Sequence, residues 1–362
     1  MDESVNSKEL RKLNPVRIIL PAVLGLGIIV ILFYRDYNKI DFNLLNFTLL
    51  SGLFLFFAVL MVVFRDLGYI LRIRILSSGE LTWIQCLKIV FLWEFGSAIT
   101  PSAIGGTALA TIFLWKEGLS IGKSTSIVLS TSFLDELYFS LMFPFMFIIF
   151  SKTELFNTFE KGSIYNNLFL FAISGYSLKL LWTLLVGYSL FINPKFFAEF
   201  VKKLFKLRFL KKWKNQAEKM AIDFEIANKE LKSKSLLFWV KSFSATFISW
   251  TGRYFVLNFI FVALILSTNS VSGDFLEVKE HLMIFARQLI MWIMMIVLPS
   301  PGGSGFVETI FAGYMADFVP IAGFSIVAAL IWRLLTYYPY LIIGSIIAPT
   351  WISKNLRKNI KK

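Results

Sequence analysis

Apolar runs long enough to cross a bilayer recur along this chain. Several of them reach the about 20 consecutive apolar residues that a transmembrane helix needs, and 57% of the 362 residues are hydrophobic. The sequence therefore predicts an all-α polytopic membrane protein in which residues 1–362 form a single integral membrane domain. The formal net charge of +14 then favours basic cytoplasmic loops and contacts with anionic lipid, and no nucleic-acid partner is predicted.

Basic residues orient the apolar runs as about six complete crossings, with both termini in the cytoplasm. The predicted spans are 16–34, 43–64, 124–150, 166–193, 236–267 and 321–350. Arg65, Arg72 and Arg74 follow the second span, and we expect them to mark its cytoplasmic end because basic residues accumulate on that side. The loops 151–163 and 268–280 are predicted to be external.

Two breaks rich in proline and glycine interrupt the remaining apolar segments. The stronger break is Leu298-Pro299-Ser300-Pro301-Gly302-Gly303-Ser304-Gly305-Phe306-Val307-Glu308, and the weaker one is Thr100-Pro101-Ser102-Ala103-Ile104-Gly105-Gly106-Thr107. These residue types do not continue a helix, and freed backbone groups are tolerated in a membrane only where protein or water surrounds them. Charge places both ends of 83–116 inside and both ends of 281–318 outside. Each segment is therefore predicted to be a re-entrant broken-helix hairpin.

The order of these elements predicts an inverted repeat. Residues 43–150 contain a span, an internal hairpin and a second span. Residues 236–350 contain the same order of elements, but with an external hairpin. Inverted repeats with discontinuous helices recur in transporters, where the substrate site lies at the breaks near the bilayer midplane. The sequence thus places the predicted substrate site between the two hairpin tips.

A basic segment, 195–235, joins the two predicted repeats on the cytoplasmic side. Its apolar residues follow one another at helical spacing and form a single stripe: Trp213, Ala217, Met220, Phe224, Ala227 and Leu231. This pattern is typical of a solvated linker helix. It is also typical of a helix that lies on the anionic inner leaflet, and the sequence leaves both interpretations open.

Charged residues inside apolar runs are the first candidates for function, because burying a charge in a membrane is costly. They are Glu94, Asp135, Glu136, Lys179, Arg253, Arg287, Glu308 and Arg333. Glu308 could cap the half-helix after the second break, line a cavity opposite Arg333, or do both. The helix start at 303–305 offers N–H groups and a positive dipole end, which suits an anion such as a lipid phosphate.

The other candidates have structural as well as functional interpretations. Asp135 and Glu136 are adjacent and point about 100° apart on a helix, so one can face a cavity while the other faces a neighbouring helix. Arg253 and Arg287 are candidates for internal salt bridges or for substrate contacts, and Lys179 for snorkelling or pairing. Tyr337 belongs to a cluster of aromatic residues whose general interpretation is an interfacial belt or packing.

Several chemistries are not predicted. Cys86 and His281 are the only cysteine and histidine, which excludes a zinc site built on several such ligands. No Walker A sequence is present, and the glycines of the second break follow no soluble strand. The sequence therefore predicts no cofactor and no bound metal.

The second break and the run Leu330-Ile331-Trp332-Arg333-Leu334-Leu335-Thr336-Tyr337-Tyr338 with Gly344 resemble the C-terminal signature of a flippase-like membrane domain. That domain occurs in the bacterial lysylphosphatidylglycerol synthase/flippase family, also called the multiple peptide resistance factor family. The segment 101–106 and Asp135 resemble its N-terminal signature. The chain departs from the family where an acidic residue and an arginine often follow the first Gly-Gly pair, since Thr107 and Ala110 or Thr111 stand there. It also has Thr131 and Ser132, instead of Glu-Arg, before the aspartate.

The resemblance implies a lipid translocase of the bacterial inner membrane, with a phospholipid headgroup bound between the hairpins. The soluble aminoacyl-transfer domain of the bifunctional members has no counterpart in this sequence, so translocation is favoured over lysine transfer. The predicted substrate-binding residues are Glu94, Pro101, Gly105, Gly106, Asp135, Arg253, Arg287, Pro301, Gly302, Gly303, Gly305, Glu308, Arg333 and Tyr337.

The alternatives to translocation are an intramembrane enzyme of lipid modification, a membrane subunit that serves a separate synthase, and a small-solute or ion transporter. The expected partners are membrane phospholipids. A separate lipid-modifying synthase and a second copy of the chain stay open as further partners.

Overall fold

The computed structural model describes residues 34, 46–99, 102–156, 163–204, 214–268, 276–295, 311, 314–319 and 324–360. Its helices are α1 (Leu49–Leu76), α2 (Trp83–Ile99), α3 (Ser102–Lys116), α4 (Ile121–Ile149), α5 (Lys152–Phe156), α6 (Ser163–Gly187, continued by a π-helical turn at Tyr188–Ile192), α7 (Pro194–Leu204), α8 (Lys214–Lys232), α9 (Leu236–Leu266), α10 (Val278–Met295), a 3₁₀ turn (Ala316–Phe318), α11 (Phe324–Thr336) and α12 (Tyr338–Ile360).

Five helical segments in the described part of the chain are long and apolar enough to cross a membrane. They are Leu49–Leu76, Ile121–Ile149, Phe169–Ile192, Leu236–Leu266 and Phe324–Pro349. The protein is therefore an all-α polytopic membrane protein, as the sequence predicts. The first predicted span, 16–34, lies outside the described residues apart from Tyr34.

One predicted boundary is wrong. The second span does not end before Arg65, because α1 continues to Leu76 and buries both Arg65 and Arg72. The predicted last span, 321–350, matches the apolar segment Phe324–Pro349, which a turn at Tyr337 divides into α11 and α12.

Short polar residues start the long helices. The side chain of Thr48 accepts a hydrogen bond from the Ser51 N–H at 3.1 Å, and the Ser51 hydroxyl accepts one from the Thr48 N–H at 3.0 Å. This reciprocal pair is a capping box, which satisfies N–H groups that have no partner inside the helix. Ser120 and Ser235 cap α4 and α9 in the same way, through the backbone N–H groups of Lys123 and Phe238.

Small residues bring α1 and α9 into close antiparallel contact. A Cβ atom on Gly68 would lie 2.3 Å from Ser249 Oγ and 2.7 Å from the Ala245 carbonyl oxygen. The Asn46 N–H donates to the Ser267 carbonyl at 2.7 Å, so the start of α1 meets the end of α9. Close backbone approach of this kind drives helix association in membranes, and here it sets the arginines of α1 beside those of α9.

Helices α2 and α3 form an antiparallel hairpin. The Gln85 side chain donates to the Glu117 carbonyl at 3.2 Å and to its carboxylate at 3.0 Å, which joins the two open ends. At the other end, a Cβ on Gly106 would lie 2.0 Å from Ser97 Oγ. Gly105 and Gly106 lie inside α3, so the helix begins at Ser102 and the predicted break, which extended to 107, is too long. The hairpin form is confirmed, and its re-entrant placement in the bilayer stays a prediction.

The basic segment divides into α7 and α8, with 205–213 outside the described residues. Phe224 and Leu231 of the predicted apolar stripe are buried, together with Ala221 and Asn228. Phe224 packs against Phe197 of α7, with 4.7 Å between the ring centroids. The stripe of α8 is therefore covered by protein at these positions, which favours the linker-helix interpretation for α8.

Candidate functional site

Glu94 lies at the centre of a charged cluster between three helices. Its Oε2 atom lies 2.6 Å from Arg65 Nη2 of α1. Arg253 of α9 donates from Nη2 to both carboxylate oxygens, at 2.9 and 3.1 Å. One carboxylate from the hairpin helix α2 therefore holds two guanidinium groups from the close-packed α1–α9 pair.

Asp66 and Tyr340 complete this cluster, which we call the central network: Arg65, Asp66, Glu94, Arg253 and Tyr340. The Tyr340 hydroxyl of α12 donates to Asp66 Oδ2 at 2.7 Å, and Arg65 Nε lies 3.7 Å from Asp66 Oδ1. The Arg65 guanidinium also lies over the Tyr340 ring, 4.6 Å from its centroid, as in a cation–π contact. Two guanidinium groups thus face two carboxylates near the middle of α1 and α9.

A second pair, Arg72 and Asp135, lies beside the central network. Both nitrogens of the Arg72 fork face the carboxylate of Asp135, and Nη1 also donates to Thr246 Oγ1 at 3.1 Å. The indole N–H of Trp250 donates to Asp135 Oδ1 at 2.6 Å. Asp135 is therefore held by one charged and one neutral donor, from α1 and α9.

Tyr69 connects the two groups. Its ring centroid lies 5.7 Å from the guanidinium carbon of Arg65, 5.0 Å from that of Arg72 and 6.0 Å from that of Arg253. A negative ring face attracts cations, so the buried tyrosine brings three cationic groups close together.

Several guanidinium nitrogens in this region donate no hydrogen bond to any described residue. They are Nε and Nη1 of Arg65, Nε of Arg72 and Nε of Arg253, together with Nη2 of Arg65, which forms only the ion pair with Glu94. Arg65 is fully buried. Leaving a buried donor unpaired costs about 1–3 kcal/mol, and more for a charged group, so these donors favour an acceptor that the described residues do not supply.

Two further ion pairs lie on other helices. Lys179 of α6 donates to both oxygens of Glu136, at 2.7 and 2.6 Å. Asp135 and Glu136 therefore point to different neighbours, as predicted, and Lys179 is paired. Arg287 of α10 donates to Asp317 Oδ2 and to the Tyr314 carbonyl, both at 2.8 Å, which confirms a salt bridge for this residue as well as for Arg253.

Tyr337 and Gly344 support the hairpin from α11 and α12. The Tyr337 hydroxyl donates to the Ala98 carbonyl at 3.2 Å, near the end of α2 where carbonyls lose their helical partners. A Cβ on Gly344 would lie 2.2 Å from the Phe95 ring, so only glycine lets α12 pass this close. Arg333 is buried with its guanidinium over the Tyr337 ring, 4.8 Å from the centroid.

The structure brings Glu94, Asp135 and Arg253 of the predicted site together. Tyr337 and Gly106 lie along the adjoining hairpin, and Arg287 belongs to a separate ion pair. Pro101, Pro301, Gly302, Gly303, Gly305 and Glu308 lie outside the described residues, and of Gly105 only the backbone, in α3, is described. The predicted substrate-binding role of each of these residues stays a prediction.

Sequence reasoning missed Arg65, Asp66 and Arg72 because it took them for the flank of a span. One signal could have found them: Arg65, Tyr69 and Arg72 follow at spacings of four and three, which places them on one helix face. The residues between and after them are largely apolar up to Leu76. A helix that continues through this stretch turns three polar groups towards the interior.

Comparisons with known proteins agree with this picture of a membrane domain. The profile of the family described as "Lysylphosphatidylglycerol synthase TM region" matches residues 22–344. A protein of Archaeoglobus fulgidus named "UPF0104 membrane protein" is 27% identical over 307 residues, which cover 82% of this chain and 86% of that protein. No solved structure matches the chain.

Proposed function

Because the chain belongs to the family of the lysylphosphatidylglycerol synthase transmembrane region, we propose that it binds a phospholipid headgroup at the central network and moves the lipid across the membrane. The observation that carries this proposal is Arg65, a fully buried arginine whose three nitrogens donate no hydrogen bond to a described residue, although Nη2 forms an ion pair with Glu94. The acyl chains would stay in the bilayer while the headgroup crosses along the protein.

The chemistry of the arginines supports a phosphate ligand. A guanidinium offers several donors in a planar fork that matches a phosphate, and it stays charged when buried. Glu94 occupies Nη2 of Arg65 and Nη2 of Arg253. The remaining donors bind a headgroup phosphate, and Glu94 and Asp66 together balance the charges of both arginines between transport events.

The hairpin supports movement of the headgroup past this point. Glu94 lies on α2, a few residues before the helix break, and α12 contacts the same hairpin through Tyr337 and Gly344. Displacing the hairpin would separate Glu94 from the two arginines, which belong to the close-packed α1–α9 pair. The second break, with Glu308 and its glycines, lies outside the described residues, and its role opposite the first hairpin stays a prediction of the inverted repeat.

The test is lipid translocation in proteoliposomes that contain the purified protein, with fluorescent lipids that differ only in headgroup. Arg65→Lys keeps the charge and removes the planar fork, so we expect its translocation rate to fall about tenfold, or 1.4 kcal/mol. Arg74→Lys is the matched control on the same helix, because Arg74 donates to the backbone carbonyls of Gly79 and Leu81, away from the central network.

Three results would contradict the proposal. No movement of any lipid by folded wild-type protein would shift the function to a subunit or enzyme of lipid modification. Flux of small anions without dependence on the lipid headgroup would favour a solute transporter. Equal rates for Arg65→Lys and Arg74→Lys would place the headgroup elsewhere in the protein.

The cellular placement belongs to the same proposal. We propose a bacterial inner membrane with both termini in the cytoplasm, and the excess of lysine and arginine in the segment 195–235 supports this orientation. Protease accessibility of tags at either terminus, in right-side-out and inverted vesicles, tests this orientation directly.

A further inference from the structure

Helix α7 lies at the edge of the apolar part of the molecule. The spanning segment Phe169–Ile192 ends two residues before Pro194, where α7 begins. The Asn193 side chain accepts a hydrogen bond from the Lys195 N–H at 3.1 Å and so caps the new helix. With only one residue between span and helix, α7 has to lie within about one turn of the point where the chain leaves the hydrocarbon.

One side of α7 is docked on protein. Phe197 packs on Phe224 of α8, and the Asn228 side chain donates to the Leu190 carbonyl at 2.7 Å, just before the junction. Asn228 is fully buried. These contacts fix the rotation of α7 about its axis, and they decide which face it leaves uncovered.

The uncovered face carries two phenylalanines one turn apart. Phe196 is 43% exposed and Phe200 is 54% exposed. Phe196 contacts Tyr188 with 5.6 Å between ring centroids, and Tyr188 and Ile192 are exposed on the outer face of the spanning segment. The apolar surface of the span therefore continues without interruption onto α7.

A charged edge runs beside these phenylalanines. Lys195, Glu199 and Lys203 follow one another four residues apart and are all exposed. A helix with aromatic residues on one side and lysines on its polar edge is typical of elements that lie in a membrane interface.

We propose that α7 is an interfacial anchor that binds anionic phospholipids. Phe196 and Phe200 enter the outer acyl layer, and Lys195 and Lys203 contact anionic headgroups. Phe224 and Leu231 of the neighbouring helix α8 are covered by protein, so these two residues take no part in the surface. This inference is independent of the central network, and it stands whether or not that network binds a lipid.

Site-directed spin labelling tests the anchor, because Cys86 is the only cysteine and is buried. In a Cys86→Ala background, single cysteines replace Phe196, Phe200, Glu199 or Lys229, and each variant is labelled in vesicles. Glu199 is the control on the polar edge of α7, and Lys229 is an exposed control on α8. Collision with oxygen and with a water-soluble nickel complex reports the depth of each label.

We expect the labels at Phe196 and Phe200 to shift towards oxygen and away from nickel, and the two control labels to stay accessible to nickel. The shift should increase from phosphatidylcholine vesicles to vesicles that also contain phosphatidylglycerol. The added Lys195→Gln and Lys203→Gln changes should remove that increase.

Two outcomes would overturn the proposal. If the labels at positions 196 and 200 are as accessible to nickel as the label at position 229, α7 lies in water. Spin–spin broadening of the label at Phe200 would show that a second copy of the chain covers this face. Each variant is compared with the Cys86→Ala protein by thermal unfolding, and a site that fails to fold is replaced by Ile192→Cys, which extends the same exposed face.

Discussion

Glu94 Oε2 lies 2.6 Å from Arg65 Nη2, and the same carboxylate accepts both hydrogen bonds of Arg253. The two arginines belong to a helix pair that small residues lock together, whereas Glu94 belongs to the hairpin. This carboxylate therefore links the α1–α9 pair electrostatically to the hairpin.

Glu94→Gln should destabilise the protein strongly. The amide cannot neutralise Arg65 and Arg253, and removing one partner of a buried ion pair costs about 3–5 kcal/mol. Thermal unfolding in detergent measures the loss. The matched control is the double change Glu136→Gln/Lys179→Met, which removes a whole ion pair and leaves no charge alone. If Glu94→Gln loses no more stability than the double variant, Glu94 is not needed to balance the charges of Arg65 and Arg253.

Tyr340→Phe isolates one hydrogen bond of the central network. The change removes the hydroxyl that donates to Asp66 and keeps the ring beneath the Arg65 guanidinium. A hydrogen bond to a charged group contributes about 1.5–3 kcal/mol, so unfolding should occur at a measurably lower temperature. Tyr188→Phe is the control on the exposed face of α6 and should have no effect. If Tyr340→Phe and Tyr188→Phe unfold at the same temperature, the hydrogen bond from Tyr340 to Asp66 does not contribute to stability.

Gly68→Ala should separate α1 from α9. Its Cβ would lie 2.3 Å from Ser249 Oγ and 2.7 Å from a backbone oxygen that cannot move away easily, and such overpacking costs about 1–3 kcal/mol. Gly52→Ala on the same helix has nothing within 4 Å, so it should stabilise α1 by roughly 0.5–1 kcal/mol. We expect the unfolding temperature to fall for Gly68→Ala and to rise for Gly52→Ala. If both variants are destabilised, the cause is a general effect of alanine on α1 and not the contact of Gly68 with α9.

The exposed ion pair between Glu154 and Lys279 should depend on pH. A hydrogen bond from Lys279 and hydrogen bonds from Ser151 lower the pKa of Glu154 to about 2. The contribution of this lowered pKa to stability is complete above the ordinary value of 4.5 and is lost as the pH falls towards 2, because the carboxylate then takes up its proton.

The measurement is the unfolding temperature of wild type and Glu154→Gln across this pH range. The difference between them should be constant near neutral pH and should shrink below pH 4.5. Because this pair is exposed, the difference should be small. A difference that persists unchanged to the lowest pH would show that the carboxylate charge plays no part.

Much of the architecture follows from local chemistry that is visible in the sequence. The spans 124–150, 166–193 and 236–267 match helices within a few residues, because their apolarity and the capping serines at 120 and 235 are local signals. The position of the first break was predicted for the same reason. Its length was overestimated, because Gly105 and Gly106 continue α3, and Ser97 packs against Gly106.

The site was only partly predictable. Glu94, Asp135 and Arg253 stand out in apolar runs, and the cost of burying them marks them as important. Arg65 and Arg72 look the same in sequence as the basic flank of a span. What distinguishes them is the packing of other helices on α1: α9 approaches it closely, and Glu94, Tyr340 and Asp135 contact the arginines from α2, α12 and α4.

The sequence by itself determined that this chain is a helical membrane protein with a break after α2, because hydrophobic length and the backbone limits of proline and glycine act on neighbouring residues. Only the tertiary structure decided which charges meet. Arg65 with Glu94, Arg72 with Asp135 and Lys179 with Glu136 join helices that are distant along the chain. All three pairings depend on the rotation of each helix, and those of Arg65 and Arg72 also depend on the close packing of α9 on α1 at Gly68. Both are settled only when the helices assemble.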